Sequence, residues 1–423
     1  MRIPREVSVR RYGWTAFICV SMLIGLSPPG WAQSRLSLQQ AVDKALESRA
    51  LLRAEAERIS AEQGRRQQAG LLPNPEFQFS NENLRPGQNY SRDVDTLAYF
   101  TQPLDVLGKR KQRIATAEQT VRRTEAEYAL VRRQVVQSVQ LAYWVARGAQ
   151  ERRDLLKATA ANFQSIIDYH AARLSVGAIS EQDFLRVRLE GERIKIAANL
   201  AMIETTRTLV RLLKQMGETD VSEVVLTEPL EAGAVAIAPV ELQQVLAQRL
   251  EMRVAAAAVE EAESRARLED VSARPDLNLI YGYKRTQVGN SGSGANTAIG
   301  GLQINFPIFN RNQGNRAAAG AELRRQRQLL AATEADVRAD YFGALQEYQL
   351  RRDEVVDTLQ PLREQAATIA EIAQAAYAQG GTDLLRLLDA ERARLDAELA
   401  YVQEMVDYRQ SIVNLQAAEG VAP

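Results

Sequence analysis

Cysteine and histidine are scarce in this sequence of 423 residues, which contains one of each. Cys19 lies inside an N-terminal apolar run, so we expect no disulfide in the rest of the chain and no lipid-attachment thiol. His170 has no second histidine or cysteine with which to complete a zinc site. Asp168, two residues away, faces a different side of a helix. The sequence therefore predicts no metal site.

Motifs for catalysis and cofactor binding are also missing. No glycine-rich phosphate loop follows a predicted strand, and the acidic residues are scattered along predicted helix faces. We expect neither an enzyme nor a bound cofactor.

A surplus of positive charge is absent as well. The chain carries 53 basic and 53 acidic residues, for a formal net charge of zero. Arginine pairs sit among carboxylates at helical spacing, which is typical of solvated helix faces. This balance argues against a nucleic-acid partner.

The one long apolar run lies at the N-terminus, from Trp14 to Leu26, after four arginines and before the small residues Gly30 and Ala32. This order is typical of a secretory signal, and the run is too short to cross a hydrocarbon core of about 30 Å. We predict that residues 1–32 are a signal peptide and that the remaining chain is exported.

The rest of the chain reads as a duplicated unit. Leu38-Gln39-Gln40 matches Leu242-Gln243-Gln244, and the same register matches Arg49 with Arg253. We place the first repeat at residues 33–220, a linker at 221–238 and the second repeat at 239–423. Each repeat reads as a short helix, a strand, a loop, a strand, a very long helix, a tight turn and a helix.

Apolar and small residues alternate at spacings of three and four along the first long helix, predicted from Lys109 to Leu174. The seam consists of Ile114, Ala117, Val121, Thr124, Tyr128, Val131, Val135, Ser138, Ala142 and Val145. Such a heptad pattern indicates a coiled coil of about 100 Å rather than a helix in a globular core.

Four segments alternate apolar and polar residues, as β-strands with one apolar face do: about 75–84, 95–104, 275–285 and 297–307. Long polar loops join them in pairs, as in a transmembrane β-barrel. Because open sheet edges are costly in lipid and small barrels need about eight strands, four strands imply a barrel shared between chains. A dimer with eight strands and a trimer with twelve both fit, and two soluble hairpins packed on helices remain an alternative.

Each second strand runs through a proline and a glycine into a long helix. Pro103 and Pro307 are expected to end the strand ladder, and Gly108 and Gly314 to permit the turn. These crossings would mark where the chain leaves the membrane.

The duplication, the two proline crossings and the turns at Gly177 and Gly380 resemble the TolC-like outer membrane efflux proteins over almost the whole exported chain. The stretches "QPLDVLGKRKQR" and "FPIFNRNQGNR" resemble the branch that serves cobalt, zinc and cadmium resistance. The resemblance implies a mixed α and β membrane protein, with a long coiled-coil helical barrel and four transmembrane strands per chain that complete a twelve-stranded barrel in a homotrimer. It also implies outer membrane lipid as surroundings, and a periplasmic adaptor and an inner-membrane resistance-nodulation-division pump as partners.

The resemblance further suggests functional residues. Gly177 with Ser180, and Gly380 with Thr382, would form two helical turns at a periplasmic tip that contacts the adaptor, the serine and threonine capping the next helix. Asp389, Arg386 and Asp383 follow the second turn, where the family narrows its tunnel with acidic side chains. Arg386 replaces an acid there, so an ion pair with Asp389 is an alternative to an open acidic ring. The function alternatives are a duct for secreted proteins or drugs and a non-membrane periplasmic scaffold.

Overall fold

The computed structural model describes residues 34–87, 94–218, 224–231, 237–287 and 294–421. The predicted signal peptide and parts of both strand-connecting loops lie outside these residues. The helices are α1 (Leu38–Ser48), α2 (Ala50–Ala69), α3 (Lys109–Ser175), α4 (Glu181–Met216), α5 (Leu242–Gln248), α6 (Leu250–Ser272), α7 (Gln313–Asp353), α8 (Gln360–Ala378) and α9 (Leu384–Glu419). The strands are β1 (Ser34–Leu36), β2 (Glu76–Glu82), β3 (Asp95–Leu104), β4 (Val224–Leu226), β5 (Asp276–Gln287) and β6 (Gly294–Asn305).

No described helix combines the length and the apolar character that a membrane span requires.

The long helix of the first repeat is continuous over 67 residues, and each seam residue predicted from the heptad pattern is buried or half-buried. The second repeat differs, because a π-helical segment, Glu354–Leu359, separates α7 from α8. Pro361 follows the last residue of this segment by two positions. Proline lacks an N–H and clashes with the carbonyl four residues earlier, so the wider π turn accommodates it. The predicted second long helix is therefore present from Gln313 to Ala378, with a π segment that the sequence pattern did not predict.

Four antiparallel strands form one sheet in the order β2-β3-β5-β6. Its ends agree with the predicted strands to within three residues. Cross-strand pairs place Phe77 opposite Phe100, and Phe100 opposite Tyr281. Their ring centroids lie 5.1 and 5.6 Å apart. The predicted apolar face is therefore real, and its aromatic side chains remain solvent-exposed.

A second, parallel pair of strands was not predicted: β1 pairs with β4, which lies inside the expected linker 221–238. Tyr143 of α3 fixes this pair, because its hydroxyl donates to the Leu36 carbonyl at 3.0 Å and accepts from the Glu228 N–H at 3.2 Å. Leu226 and Leu230 are buried in the main core. The expected linker is thus partly built into the core around α3.

Two helices meet at an arginine in each repeat. Arg49 separates α1 from α2, and Arg249 separates α5 from α6. Each guanidinium donates to a carbonyl at the end of its repeat's last helix, Gln215 at 3.0 Å and Ala418 at 3.1 Å. The match of Arg49 with Arg253 was therefore one helical turn out of register.

Candidate functional site: the helical tips and the strand crossings

Two helical hairpins, α3–α4 and α8–α9, end in tips with the same backbone geometry. Gly177 and Gly380 both adopt left-handed φ, at 72° and 75°. The Gly177 and Ala178 N–H groups donate to the carbonyls of Leu174 and Arg173, at 2.9 and 2.8 Å. In the second tip, the residues from Ala376 to Gly381 repeat both bonds at 3.1 and 2.8 Å. Both tips are Schellman turns, which require a residue that tolerates positive φ.

The helix after each tip starts on a side-chain cap. Ser180 accepts from the Asp183 N–H at 3.1 Å, as predicted. In the second tip the cap is Asp383, which accepts from the Arg386 N–H at 2.9 Å, so the assignment of this role to Thr382 was wrong. The reason is spacing: the cap lies three residues after the left-handed glycine in both tips.

A buried polar link joins the two hairpins close to their tips. His170 of α3 is 1% exposed, and its Nδ1 lies 2.8 Å from the Ile166 carbonyl, so Nδ1 carries the hydrogen. Its Nε2 then accepts from the hydroxyl of Tyr377 on α8, at 2.8 Å. Arg173 donates to the same hydroxyl at 3.3 Å. Burial is the largest influence on the Tyr377 hydroxyl and raises its pKa.

An apolar cluster above this link holds α3, α4 and α9 together. Its buried members are Phe163, Val187, Ile194 and Leu388, and Leu384 and Leu395 pack against it. The three leucines of α9 in this cluster, Leu384, Leu388 and Leu395, therefore pack inside the bundle. At Gly191 an added Cβ would lie 2.5 Å from Ile167, so this glycine permits the close approach of α3 and α4.

The three gate candidates lie on or beside the first turns of α9. Asp383, Arg386 and Asp389 are all solvent-exposed. Among the described residues, no ion pair joins Arg386 to Asp389 within one chain. Arg392 instead bridges α9 to α4 through Glu190, at 2.6 Å. Asp389 is left available on the surface of the single chain.

The first strand crossing turns at Gly108, whose φ is 84°, as predicted. Pro103, however, lies inside β3, opposite Asn278, and the strand ends one residue later. Asp105 stabilises the turn, because its carboxylate accepts a hydrogen bond from the Arg110 N–H at 2.8 Å and forms an ion pair with Arg113 at 2.7 Å.

The second crossing turns at a different residue from the one expected. Pro307 follows the end of β6 by two residues, but Gly314 lies inside α7 and does not make the turn. Asn312 does, with φ 58°, and asparagine tolerates this conformation better than most residues. Its side-chain amide donates to the Glu269 carboxylate at 2.6 Å and to the Glu269 carbonyl at 2.9 Å.

Within the described residues, no group of three or more His, Cys, Asp or Glu side chains is arranged to hold a metal ion.

Three roles at the tips and crossings were not predicted from the sequence: the link made by Tyr377, the turn made by Asn312 and the helix cap made by Asp383. The Tyr377–His170 bond joins residues 207 apart, so no local pattern reveals it. Asn312 and Asp383 carried a usable signal, since asparagine is favoured at left-handed positions and aspartate at helix N-caps.

Long paired hairpins, a small amphipathic sheet and matching tip geometry in the two repeats are the architecture of a channel component. The outer membrane efflux protein family matches the chain twice, at residues 41–218 and 242–421. The chain belongs to this family. It is thus a channel protein of the outer membrane with a periplasmic part, and not an enzyme, as the sequence-based resemblance predicted.

Known relatives agree with this assignment. The cobalt-zinc-cadmium resistance protein CzcC of Cupriavidus metallidurans is 26% identical over 379 residues, which cover 88% of this chain and 87% of that protein. A crystal structure of CusC matches with a TM-score of 0.77 and 19% identity, covering 93% of this chain and 94% of CusC. The open-state MtrE channel of Neisseria gonorrhoeae matches with a TM-score of 0.74 and 20% identity, covering 90% of this chain and 88% of MtrE. These two structures share its fold.

Proposed function

We propose that three copies of the chain form a twelve-stranded barrel above a helical tunnel, and that this assembly is the outer membrane duct of a tripartite efflux system for heavy-metal cations. The main support for the proposal is the four-stranded sheet, which has unpaired edges and an exposed aromatic face. Its outer strands, β2 and β6, each have one edge without a partner among the described residues. Its aromatic face is exposed.

Strand direction allows the sheet to close on copies of itself. Each neighbouring pair is antiparallel, so β2 and β6 run in opposite directions. Placing β6 of one copy beside β2 of the next continues the alternation. Closure removes the unpaired edges, which cost several kcal/mol per unsatisfied group in lipid. A single chain supplies too few strands to close alone, because the smallest barrels have about eight.

The helices also present apolar surface that a single chain leaves uncovered. On α4 five of the exposed apolar residues fall on one stripe at spacings of four, seven, four and three: Leu185, Leu189, Ile196, Leu200 and Ile203. On α8, Leu362, Ile369 and Ile372 are exposed on another stripe. Coiled-coil contact between these stripes of adjacent copies would cover both and produce a closed ring of helices.

Cargo and partners are inferred from the relatives and the tips. The similarity to a cobalt-zinc-cadmium resistance protein supports divalent metal cations as cargo. The two matching Schellman turns, with Gly177, Ser180, Gly380 and the neighbouring Thr382, would contact a periplasmic adaptor. The adaptor would join the duct to a resistance-nodulation-division pump. Ion selection would occur in the pump, and this chain would provide the conduit.

Cysteine cross-linking tests the barrel, since Cys19 is the only native cysteine. Gln78→Cys on β2 is combined in turn with Thr297→Cys, Ile299→Cys or Gln303→Cys on β6, all on the less apolar face of the sheet. We expect at least one pair to yield covalent trimers under oxidation. Phe77→Cys with the same β6 substitutions is the control, because its side chain lies on the opposite face. Covalent dimers as the end product, or two-fold symmetry in single-particle images, would rule out the trimer.

Metal tolerance tests the cargo. Deleting the gene should lower tolerance to cobalt, zinc or cadmium, and the intact chain should restore it when its pump and adaptor are present. Unchanged metal tolerance, together with lost tolerance to organic drugs or lost protein secretion, would reassign the cargo without changing the duct.

A further inference from the structure

Four connections between helices and strands meet at one end of the four-stranded sheet. Together they form a collar, which consists of residues 70–75, 105–111, 273–275 and 306–312. Arg110 donates to the Gly70 carbonyl at 2.7 Å, and Arg274 donates to the Leu107 carbonyl at 2.6 Å. Asn312 joins the fourth segment to the end of α6. These bonds fix the four segments of the collar relative to the sheet and the helices.

The collar has large apolar side chains that the described chain leaves uncovered. Six of them are exposed: Leu71, Leu72, Val106, Phe306, Ile308 and Phe309. Phe309 is 91% exposed, more than any other large apolar side chain that the structure describes. Its turn is held by two bonds, since Asn310 Oδ1 accepts from the Asn312 N–H and Arg311 donates to the Ile308 carbonyl, both at 3.1 Å. Such a concentration of exposed apolar surface indicates an interaction site.

Positive charge predominates in the collar. Five of its residues are basic and one, Asp105, is acidic. Lys109 pairs with Asp276 at the start of β5, at 2.7 Å. The other four cations are exposed and form no ion pair with any described residue: Arg110, Lys111, Arg274 and Arg311. The bordering acids Glu76 and Glu269 are two against these four, so an excess of two positive charges per chain remains.

The length of the strands gives the depth of the collar in the membrane. β5 and β6 each have 12 residues. At about 3.3 Å per residue and a tilt of about 40°, each strand covers roughly 30 Å of membrane thickness. This thickness is close to that of a hydrocarbon core. With the sheet spanning the outer membrane as proposed above, the collar therefore lies at the depth of the lipid headgroups, on the side of the helices.

We propose that the collar binds phospholipids of the periplasmic leaflet and prefers those with an anionic headgroup. The four exposed cations contact the lipid phosphates, which arginine binds through charge-assisted bonds. Phe309 and Ile308 insert at the boundary between headgroups and acyl chains, where apolar side chains beside cations are favoured. The inference rests on the proposed function for the depth of the sheet, and it adds the class of lipid that this outer membrane protein recognises.

Tryptophan fluorescence in vesicles tests the lipid contact. Trp144 is buried in the core, and Trp14 and Trp31 lie in the predicted signal peptide. Phe309→Trp therefore adds one lipid-accessible reporter to the full exported chain, and Ile308→Trp is a second reporter in the same turn. Each protein is reconstituted in phosphatidylcholine vesicles with increasing fractions of brominated phosphatidylcholine or brominated phosphatidylglycerol, which quench tryptophan on contact. We expect the anionic lipid to quench at a fraction at least about threefold lower than the zwitterionic one.

Variants in the Phe309→Trp background separate the collar from general charge attraction. Lys111→Gln/Arg311→Gln removes two collar cations and should reduce the lipid preference at least about twofold. Lys195→Gln/Arg211→Gln is the matched control, because it removes one lysine and one arginine from exposed positions on α4. The control should keep the preference of the parent protein. Added salt should weaken the preference, since it screens exposed charges.

Three results would overturn the proposal. Absence of quenching by both lipids would show that Phe309 lies against protein, and equal quenching by both would show no preference for anionic headgroups. Equal preference in the collar and control variants would show that the collar cations are not the cause. Native gels of the same samples report trimer formation separately. Trimers without lipid preference reject only the collar site, whereas a lipid preference without trimers rejects only the proposed assembly.

Discussion

The hydroxyl of Tyr377 donates to Nε2 of His170 across 2.8 Å, and this bond joins the α8–α9 hairpin to the α3–α4 hairpin. The rings are also stacked, with centroids 5.7 Å apart and an angle of 22° between their planes. Both residues lie within two turns of a tip. The Tyr377 hydroxyl thus links the two hairpins close to their tips, in addition to the apolar cluster and the Arg392–Glu190 ion pair.

Tyr377→Phe should loosen the tips, because it leaves His170 Nε2 without a donor. The expected loss is about 1–3 kcal/mol of local stability. Hydrogen exchange of amides in the last turns of α3 and α8 should speed up accordingly. Tyr169→Phe is the control, since Tyr169 is 56% exposed and its loss should leave exchange unchanged. Equal exchange in all three proteins would show that the link does not hold the tips.

Replacing Gly177 and Gly380 with leucine should abolish metal tolerance while trimers still form and insert. A side chain in the left-handed region costs about 1–2 kcal/mol at each position and adds bulk where we place the adaptor contact. Gly381→Leu is the matched control, because Gly381 lacks a positive φ. Tolerance retained by the double variant would contradict the adaptor assignment.

Gly282→Ala should disrupt the sheet. An added Cβ would lie 2.4 Å from both the Ala98 carbonyl oxygen and the Tyr99 Cβ on the neighbouring strand. We expect loss of the heat-modifiable, membrane-inserted form on gels. Gly301→Ala on β6 should be tolerated, as nothing lies within 4 Å of its added Cβ. Normal assembly of both variants would show that β3 and β5 can separate at this position.

Asp389→Ala should alter cation preference or raise the resting single-channel conductance in planar bilayers. Three copies of an exposed carboxylate around a three-fold axis would favour cations at a constriction. Asp168→Ala removes an exposed acid at a similar height on α3 and should leave the trace unchanged. If both variants conduct like the wild type, Asp389 is an ordinary solvated helix charge.

Glu419→Gln should stabilise the protein at neutral pH. Glu419 is 3% exposed, and burial raises the pKa of its carboxyl. The folded state thus holds a proton that the unfolded state releases, so stability falls as pH rises from the ordinary carboxyl pKa through the raised value. Glutamine does not ionise, so the variant does not lose stability as the pH rises. Its higher unfolding temperature relative to the wild type should disappear at low pH. Glu371→Gln, at an exposed position, is the control, and its thermal unfolding should stay close to that of the wild type.

Features set by local periodicity were predictable from the sequence. The heptad seam located α3 to within one residue at its C-terminal end, and two-residue alternation located the apolar face of the sheet. Side-chain preference also predicted the left-handed glycines at both tips and the Ser180 cap.

Features set by distant partners or by small changes of register were not predictable. The short strand β4 gains its stability from pairing with β1, about 190 residues earlier in the chain. The sequence match placed the second junction at Arg253, whereas the structure places it at Arg249. The reason is that α5 has 7 residues and α1 has 11, so the alignment that fits the start of both helices is one turn out of register at their ends. The π segment before Pro361 was not predicted because the long helical pattern around it gives no sign of how the chain accommodates the proline.

The π segment at Glu354–Leu359 also has a consequence for symmetry. Two equivalent repeats in each of three chains would give a tunnel with six-fold pseudosymmetry. Each residue added to a helix rotates the remainder of that helix by about 100°. The wider turn in α7–α8, absent from the continuous α3, therefore changes the face that the second hairpin presents below it. In the proposed trimer, the tunnel should be close to six-fold near the sheet and strictly three-fold at the tips, where only the α8–α9 hairpin carries Asp389.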